Sequence, residues 1–528
     1  MIETTSSTSA ADNSAATPRR LTDWILAAAV GLLAAVMYLP SVSPFAHPGE
    51  PAGLLCEWLG LDAYPFNRFP LTAIFARATG ASPWLAPICG ILSAMMLFAV
   101  VGAFIRGRTA GDYTKADAAR FGRIGGVTAA VVFIFTPAVF ESATHIEPRL
   151  VDATWALAAM ALAIPFARLP KSLAWAVPLL SGAMVGMGAA DSVVFLALAP
   201  VYLAVFWAVS LRRGGRGYTA SALFLLSMIV VVFAWSVPAT GDFSQFTKWQ
   251  GGMIKAATRI ASDWYVVPLF AILPFVMSLF SSTSAFKGDR GVATWTFHGA
   301  MTLVTILAAA TTLSPSVVLR PVGDAPIVSC ALVAATAGYL MAYWWAQTKR
   351  GTSVNESVQL NGSESASDKV ARIIGWSVGG FFAAVLAASA LINRFVAASP
   401  DEGAFAEKIA ERIVADLDGR TWVVAGGLRY WDSNGVRHEE LNAMQDQLRI
   451  AAYKAGKELN LVCLNRGEDM EYVKRLAIFV HYAADQKVSN ADLYLLNELK
   501  KTAEIVADVL AGDDLDRNTG DFLHAFLD

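Results

Sequence analysis

Charge is scarce in this chain. Asp, Glu, Lys and Arg make up 16% of its 528 residues, against 55% that are hydrophobic. With that balance and a mean hydropathy of +0.48, the chain is no soluble globular protein. Cysteine is scarce as well: Cys56, Cys89, Cys330 and Cys463 are too scattered for a C-x-x-C, a zinc spacing or a disulfide framework. Cys89 and Cys330 lie inside apolar runs and read as small core residues. The six histidines are spread along the chain without an H-E-x-x-H, so no metal cluster is visible. The net charge is -2, with no basic arm and no basic-aromatic interleaving, which leaves nothing that points to nucleic acid.

What the chain has is long apolar runs. Measured against a spanning length of about 20 residues, they predict about eleven transmembrane helices. The expected spans are 22–40, 84–105, 124–140, 151–167, 173–189, 192–211, 219–238, 264–281, 292–313, 325–346 and 373–393. The Ser/Thr/Ala-rich start, residues 1–20, reads as a disordered tail. Arg19 and Arg20 followed by the first run read as an uncleaved signal anchor, because no small-x-small cleavage site follows.

Basic residues set the orientation. With a cytoplasmic amino terminus, eighteen Lys and Arg fall in the inside segments and eight in the outside ones. The expected transmembrane domain is 21–396, with outer loops at 41–83 and 141–151; residues 397–528 then lie outside the cytoplasm. The acids Glu50, Asp62, Glu141, Glu147, Asp152 and Asp191 all fall on that outer face or just within it. Carboxylates there are costly unless paired or functional.

The first outer loop is longer than a helix pair needs. It carries Phe45-Ala-His-Pro-Gly-Glu50 and then Tyr64-Pro-Phe-Asn-Arg-Phe-Pro70. A carboxylate at this surface can act as a general base, or merely cap a helix or bridge a cation. The second loop, Glu141-Ser-Ala-Thr-His-Ile-Glu-Pro-Arg149, reads either as part of a site or as a solvated turn with Glu147 and Arg149 as a local ion pair. Asp191 lies in Gly186-Met-Gly-Ala-Ala-Asp191-Ser192, a break that is either a polar turn or a place of close approach.

These three segments together resemble the GT-C superfamily of membrane glycosyltransferases, and in particular the bacterial family known as domain of unknown function 2723, which is similar to protein O-mannosyltransferases. Its first outer loop has a D-S-G-E stretch and then an H-P-P-G-x-P turn leading into an apolar helix. Here His47-Pro-Gly-Glu50 and Tyr64-Pro-Phe-Asn-Arg-Phe-Pro70 stand in those places. The family's A-x-x-A-E-V-Y stretch corresponds to Ala143-Thr-His-Ile-Glu147-Pro-Arg149, and its later small-residue turn loosely to Gly188-Ala-Ala-Asp191-Ser192. The family's aspartate falls on His47, and its paired histidines are absent.

The resemblance implies an all-α polytopic GT-C-like fold and an inverting enzyme of a bacterial inner membrane. A sugar would pass from a polyprenyl-phosphate donor to a hydroxyl of a protein or glycan acceptor at the outer face. Glu50 is the implied base, with Glu147 in support and His47 as a substitute for the missing aspartate. Arg68 and Arg149 would bind the phosphate, since a guanidinium matches its oxygens; the other reading of Arg68 is snorkelling to lipid headgroups. Asn67 and Asp191 complete the expected substrate contacts. No cofactor is firmly implied, and a divalent metal stays open.

From about residue 400 the sequence becomes mixed and charged. Apolar spacing predicts helices over 405–414, 438–456, 469–482 and 490–511, and buried strands over 421–425 and 459–464. That order implies a small α/β domain with a parallel strand pair. Gly426-Gly427 reads as a tight turn, since no G-x-G-x-x-G follows. Two other functional classes fit the same chain. A transporter or flippase of a lipid-linked glycan would bury charges in mid-helix and show related halves. An inactive GT-C-like scaffold would merely display the terminal domain.

Overall fold

The computed structural model describes residues 16–46, 50–61, 69–109, 113–167, 169–212, 217–263, 297–305, 325–353, 404–415, 422–425, 428–431, 437–440 and 443–463, with a few positions between 373 and 388. His47, Asn67 and Arg68 lie outside them, as do the helices expected over 469–482 and 490–511.

The main helices are α1 (Ala16–Tyr38), α2 (Glu50–Leu59), α3 (Pro70–Ala78), α4 (Leu85–Thr109), α5 (Lys115–Phe135), α6 (Pro137–Thr144) and α7 (Arg149–Ala161). They continue with α8 (Ala176–Gly188), α9 (Val194–Arg212), α10 (Gly217–Val231), α11 (Phe243–Asp263) and α12 (Ala325–Ser353). Among the described residues, five helical stretches are long and apolar enough to cross a membrane: Leu21–Ser41, Leu85–Thr109, Lys115–Phe135, Arg149–Phe166 and Gly217–Ala239. Three shorter apolar helices, Ala176–Gly188, Val194–Trp207 and Cys330–Ala346, match three more expected spans. The remaining expected spans, 264–281, 292–313 and 373–393, fall wholly or largely outside the described residues.

Local chemistry explains where these boundaries differ from the apolar runs. The third span starts nine residues earlier than expected because Thr114 caps α5, accepting from the Asp117 amide at 3.2 Å and donating its hydroxyl to the Asp117 carboxylate at 2.7 Å. It ends at Phe135 because Pro137 has no N–H to extend the ladder and holds Thr136 extended. The chain then re-enters as the short α6.

Among the described residues, one hydrophobic core joins α1, α4, α5, α6 and α12, and another joins the end of α7 with α8, α9 and α10. Where bilayer surrounds the bundle, close backbone approach does what hydrophobic burial does in water. Gly125 of α5 faces Gly338 of α12, so a Cβ at Gly125 would lie 2.7 Å from the Gly338 carbonyl oxygen. A Cβ at Gly122 would likewise meet the Gly102 carbonyl of α4 at 2.7 Å.

The two ends of the bundle differ. At the end that the sequence marks as basic, Asp23 of α1 accepts from Arg106 of α4 at 2.8 Å and from Arg123 of α5 at 2.7 Å. The opposite end carries the loops with the candidate acids.

The terminal segment contains α13 (Ala404–Ala415), β1 (Trp422–Ala425), β2 (Leu428–Trp431), β3 (Arg437–Glu440), α14 (Ala443–Ala455) and β4 (Asn460–Cys463). β1 and β4 pair in parallel, with Val423 opposite Leu461. They coincide with the two segments read as strands. The helix expected over 438–456 needs correction: Arg437–Glu440 is a strand paired antiparallel with Leu428–Trp431, and the helix begins only at Ala443. The charged run Arg-His-Glu-Glu has no apolar stripe of its own, and cross-strand pairing decides its state.

Helix α14 is not detached from the membrane region. It packs on α2: the Gln447 side-chain amide donates to the Ala46 carbonyl at 2.6 Å, and the Cys56 thiol donates to the Asp446 carbonyl at 3.3 Å. Ile450 joins the main core.

Candidate functional site

Pro70 opens α3, and proline at the first helical position leaves the Leu71 and Thr72 amides as the first that need a partner. Asp191 supplies it: its two carboxylate oxygens accept from Leu71 at 2.6 Å and from Thr72 at 2.7 Å. Asp191 is fully buried, and the positive end of the helix favours its charge there. Both oxygens accept from amides in a helix cap, so Asp191 positions the start of α3.

The turn that carries Asp191 is a junction. Its own amides return to Gly188, with Asp191 donating to the Gly188 carbonyl at 3.0 Å. The neighbouring carbonyls point the other way and take α11. The Trp249 indole N–H donates to Ala190 at 3.2 Å, and the Gln250 amide donates to Ala189 at 2.5 Å. Trp249 also meets Phe69 edge-on, with ring centroids 5.6 Å apart. Small residues at 188–190 allow this approach, and no apolar periodicity announces it.

The segments that follow α1 and α6 meet directly. The Ser43 amide, just after α1, donates to the Thr144 carbonyl at the end of α6, at 2.8 Å. Beyond Thr144 the chain turns extended at His145, whose Nδ1 lies 2.7 Å from the Glu141 carbonyl. A carbonyl only accepts, so Nδ1 carries the proton in that contact.

Glu147 and Arg149 form the ion pair that the spacing allowed, with Nη1 of Arg149 at 3.0 Å from each carboxylate oxygen. Their side chains are 11% and 3% exposed, so this is a buried pair and not the solvated one considered from sequence. Pro148 between them caps α7, which puts Arg149 at the first helical position, and Asp152, in the first turn, is buried as well. A guanidinium held this way is a fixed neutralising charge for Glu147. A phosphate would have to compete with that carboxylate for it.

Glu50 is the first residue of α2. The helix it opens is the one that α14 covers, so Gln447 and Asp446 belong to the surroundings of the first loop. Sequence reasoning missed both, and it missed Trp249 and Gln250. The amphipathic spacing of 243–263 was the one available signal for the second pair. Among the described residues, no group of three or more His, Cys, Asp or Glu is placed to hold a metal ion.

These features define a multi-pass membrane protein whose acid-bearing loops are tied together at one end of the bundle. No family model matches the chain, and no curated protein matches it. Among solved structures, the crystal structure of ArnT from Cupriavidus metallidurans bound to undecaprenyl phosphate is similar to it with a TM-score of 0.40 and 15% identity, covering 81% of this chain and 85% of that one. A likeness at that level does not establish a common fold.

Proposed function

We propose that this protein is a GT-C-type membrane glycosyltransferase that moves a sugar from a polyprenyl-phosphate donor to a hydroxyl of a protein or glycan acceptor at the outer face of a bacterial inner membrane. The observation that carries the reading is the hydrogen bond between Ser43 and Thr144. It puts the loop that leads into Glu50 beside the loop that leads into Glu147, at the end of the bundle away from the Asp23–Arg106–Arg123 cluster. The resemblance assigns its two acids to these same two loops.

In this reading the acceptor hydroxyl loses its proton to the Glu50 carboxylate. The acceptor oxygen bonds to the anomeric carbon as the bond from that carbon to the donor phosphate oxygen breaks. The polyprenyl phosphate leaves with the electron pair, and the configuration inverts. Glu147, neutralised by Arg149, orients and does not take the proton; Arg68 is the cation left for the departing phosphate, with His47 and Asn67 beside the reacting groups. The contact of α14 with α2 supports a terminal segment on the same side as the first loop, where it would offer a surface for the acceptor.

The test is sugar transfer by the purified full chain in nanodiscs, with a labelled polyprenyl-phosphate sugar and a panel of acceptor peptides and glycans. Transfer that depends on Glu50 supports the reading. Movement of the intact lipid-linked sugar between leaflets without transfer would replace it with the transporter.

A further inference from the structure

The helix α11 is built unlike its neighbours. It follows the spanning stretch Gly217–Ala239 after a tight turn at Thr240–Gly241–Asp242, where Gly241 takes φ +114 and the Asp242 carboxylate accepts from the Gln245 amide at 2.7 Å. Over its length it separates three faces. Phe246 and Gln250 are buried, and Trp249 is partly buried against Phe69 and the turn at Ala189–Ala190. Phe243 and Ile254 are more than half exposed on a second face. On a third, Lys248 and Lys255 are exposed. Positions i and i+7 fall within about 20° on a helix of 3.6 residues per turn, so the two cations form one stripe. The helix has no Asp or Glu until Asp263.

A second observation sets its depth. Phe243 stacks on Phe233, with ring centroids 6.1 Å apart and planes 17° from parallel. Phe233 is 59% exposed on a spanning stretch, which places it against acyl chains. The exposed apolar face of α11 therefore begins at the level of the bilayer, and the basic stripe lies about a third of a turn further round, on the water side of that level. Lysine and arginine on an interfacial helix extend toward headgroup phosphates in this arrangement.

We infer that α11 is an interfacial helix whose Lys248–Lys255 stripe binds the headgroups of anionic phospholipids around the protein, giving it a shell enriched in such lipids beside the Asp191 turn. The inference does not depend on the glycosyltransferase reading. A transporter or scaffold with the same helix would show the same lipid shell.

The experiment is electron spin resonance of spin-labelled phosphatidylglycerol and spin-labelled phosphatidylcholine with the full chain in nanodiscs. The motionally restricted fraction should favour phosphatidylglycerol at least about twofold at low salt, and the preference should shrink as salt is raised. K248Q/K255Q should bring the ratio close to one, while thermal unfolding in pure phosphatidylcholine stays at the parent value. S244K, which extends the stripe by one turn, should raise the ratio, and it remains informative if the double variant fails to fold. No preference in the parent chain, an unchanged preference in the double variant, or no rise with S244K would each overturn the inference.

Discussion

Asp191 and Thr72 are 119 residues apart in sequence, yet the Asp191 carboxylate accepts the Thr72 amide at 2.7 Å and the adjacent Leu71 amide at 2.6 Å. One buried acid thereby fixes where the chain re-enters the bundle at α3. The same turn accepts Trp249 and Gln250 of α11, so two surface elements far apart in the chain share one anchor. Their arrangement is cooperative: displacing the turn would release both.

Replacing Asp191 should therefore act on the loop first. Asp191→Ala leaves two buried amides without an acceptor and is expected to cost about 1–3 kcal/mol. Asp191→Asn keeps one good acceptor and should cost less. Thermal unfolding in detergent, together with protease cleavage within 62–70, reads both effects; parent-like cleavage in Asp191→Ala would mean that the loop is held by other contacts.

The Glu147–Arg149 pair is expected to show strong coupling. Glu147→Gln or Arg149→Gln alone removes one member of a largely buried ion pair, at a cost of up to about 3–5 kcal/mol. The double variant should recover part of that loss. A double-mutant cycle of unfolding free energies checks it, and additive single losses would show that the two side chains act separately.

Glu50→Gln should lower sugar transfer by roughly 10²–10⁴-fold, the usual worth of a general base, with donor binding retained. Glu147→Gln is expected to have a smaller effect on the chemical step than Glu50→Gln. His47→Asn measured alongside decides whether an imidazole has taken the proton-accepting role; parent rates in both Glu50→Gln and His47→Asn would remove the catalytic assignment.

Close packing of α5 against α12 predicts that Gly125→Val is disruptive. A side chain there meets the Gly338 carbonyl within 2.7 Å of its first carbon. Overpacking of this kind costs about 1–3 kcal/mol; the end of the Ile105 side chain, which also meets this position, can move aside, but the Gly338 backbone oxygen cannot. Yield and melting temperature in detergent measure the effect, and Gly125→Ala should show a weaker version of it.

Reporter fusions test the sidedness. A periplasm-active reporter placed after residue 400 should be active, and the same reporter after Arg216 or Arg350 should be silent. The contact of α14 with α2 requires the terminal segment and the first loop to share a side. Activity at Arg350 but not at residue 400 would invert the assignment of both.

Much of the membrane architecture was legible because it is local. Spanning needs a continuous apolar run, and runs near 22–40, 84–105 and 219–238 stand out by length alone, as the helices at Leu21–Ser41, Leu85–Thr109 and Gly217–Ala239 show. The short strands at 422–425 and 460–463 were visible as apolar segments between turn residues. By contrast, the helix expected from 438 was wrong at its start, because Arg437–Glu440 takes its conformation from a partner strand and not from its own pattern.

The sequence by itself determined that this is a membrane protein, that its acids collect in segments between spans, and that Glu147 and Arg149 are near enough to pair. Only the tertiary structure decided that this pair is buried, that Asp191 caps α3, and that Gln447 reaches Ala46 across 401 positions. The physical reason is range. A hydrophobic run or a two-residue ion pair is complete within a few residues, whereas a helix cap or a docked amide needs a partner that the chain delivers only once the bundle has closed.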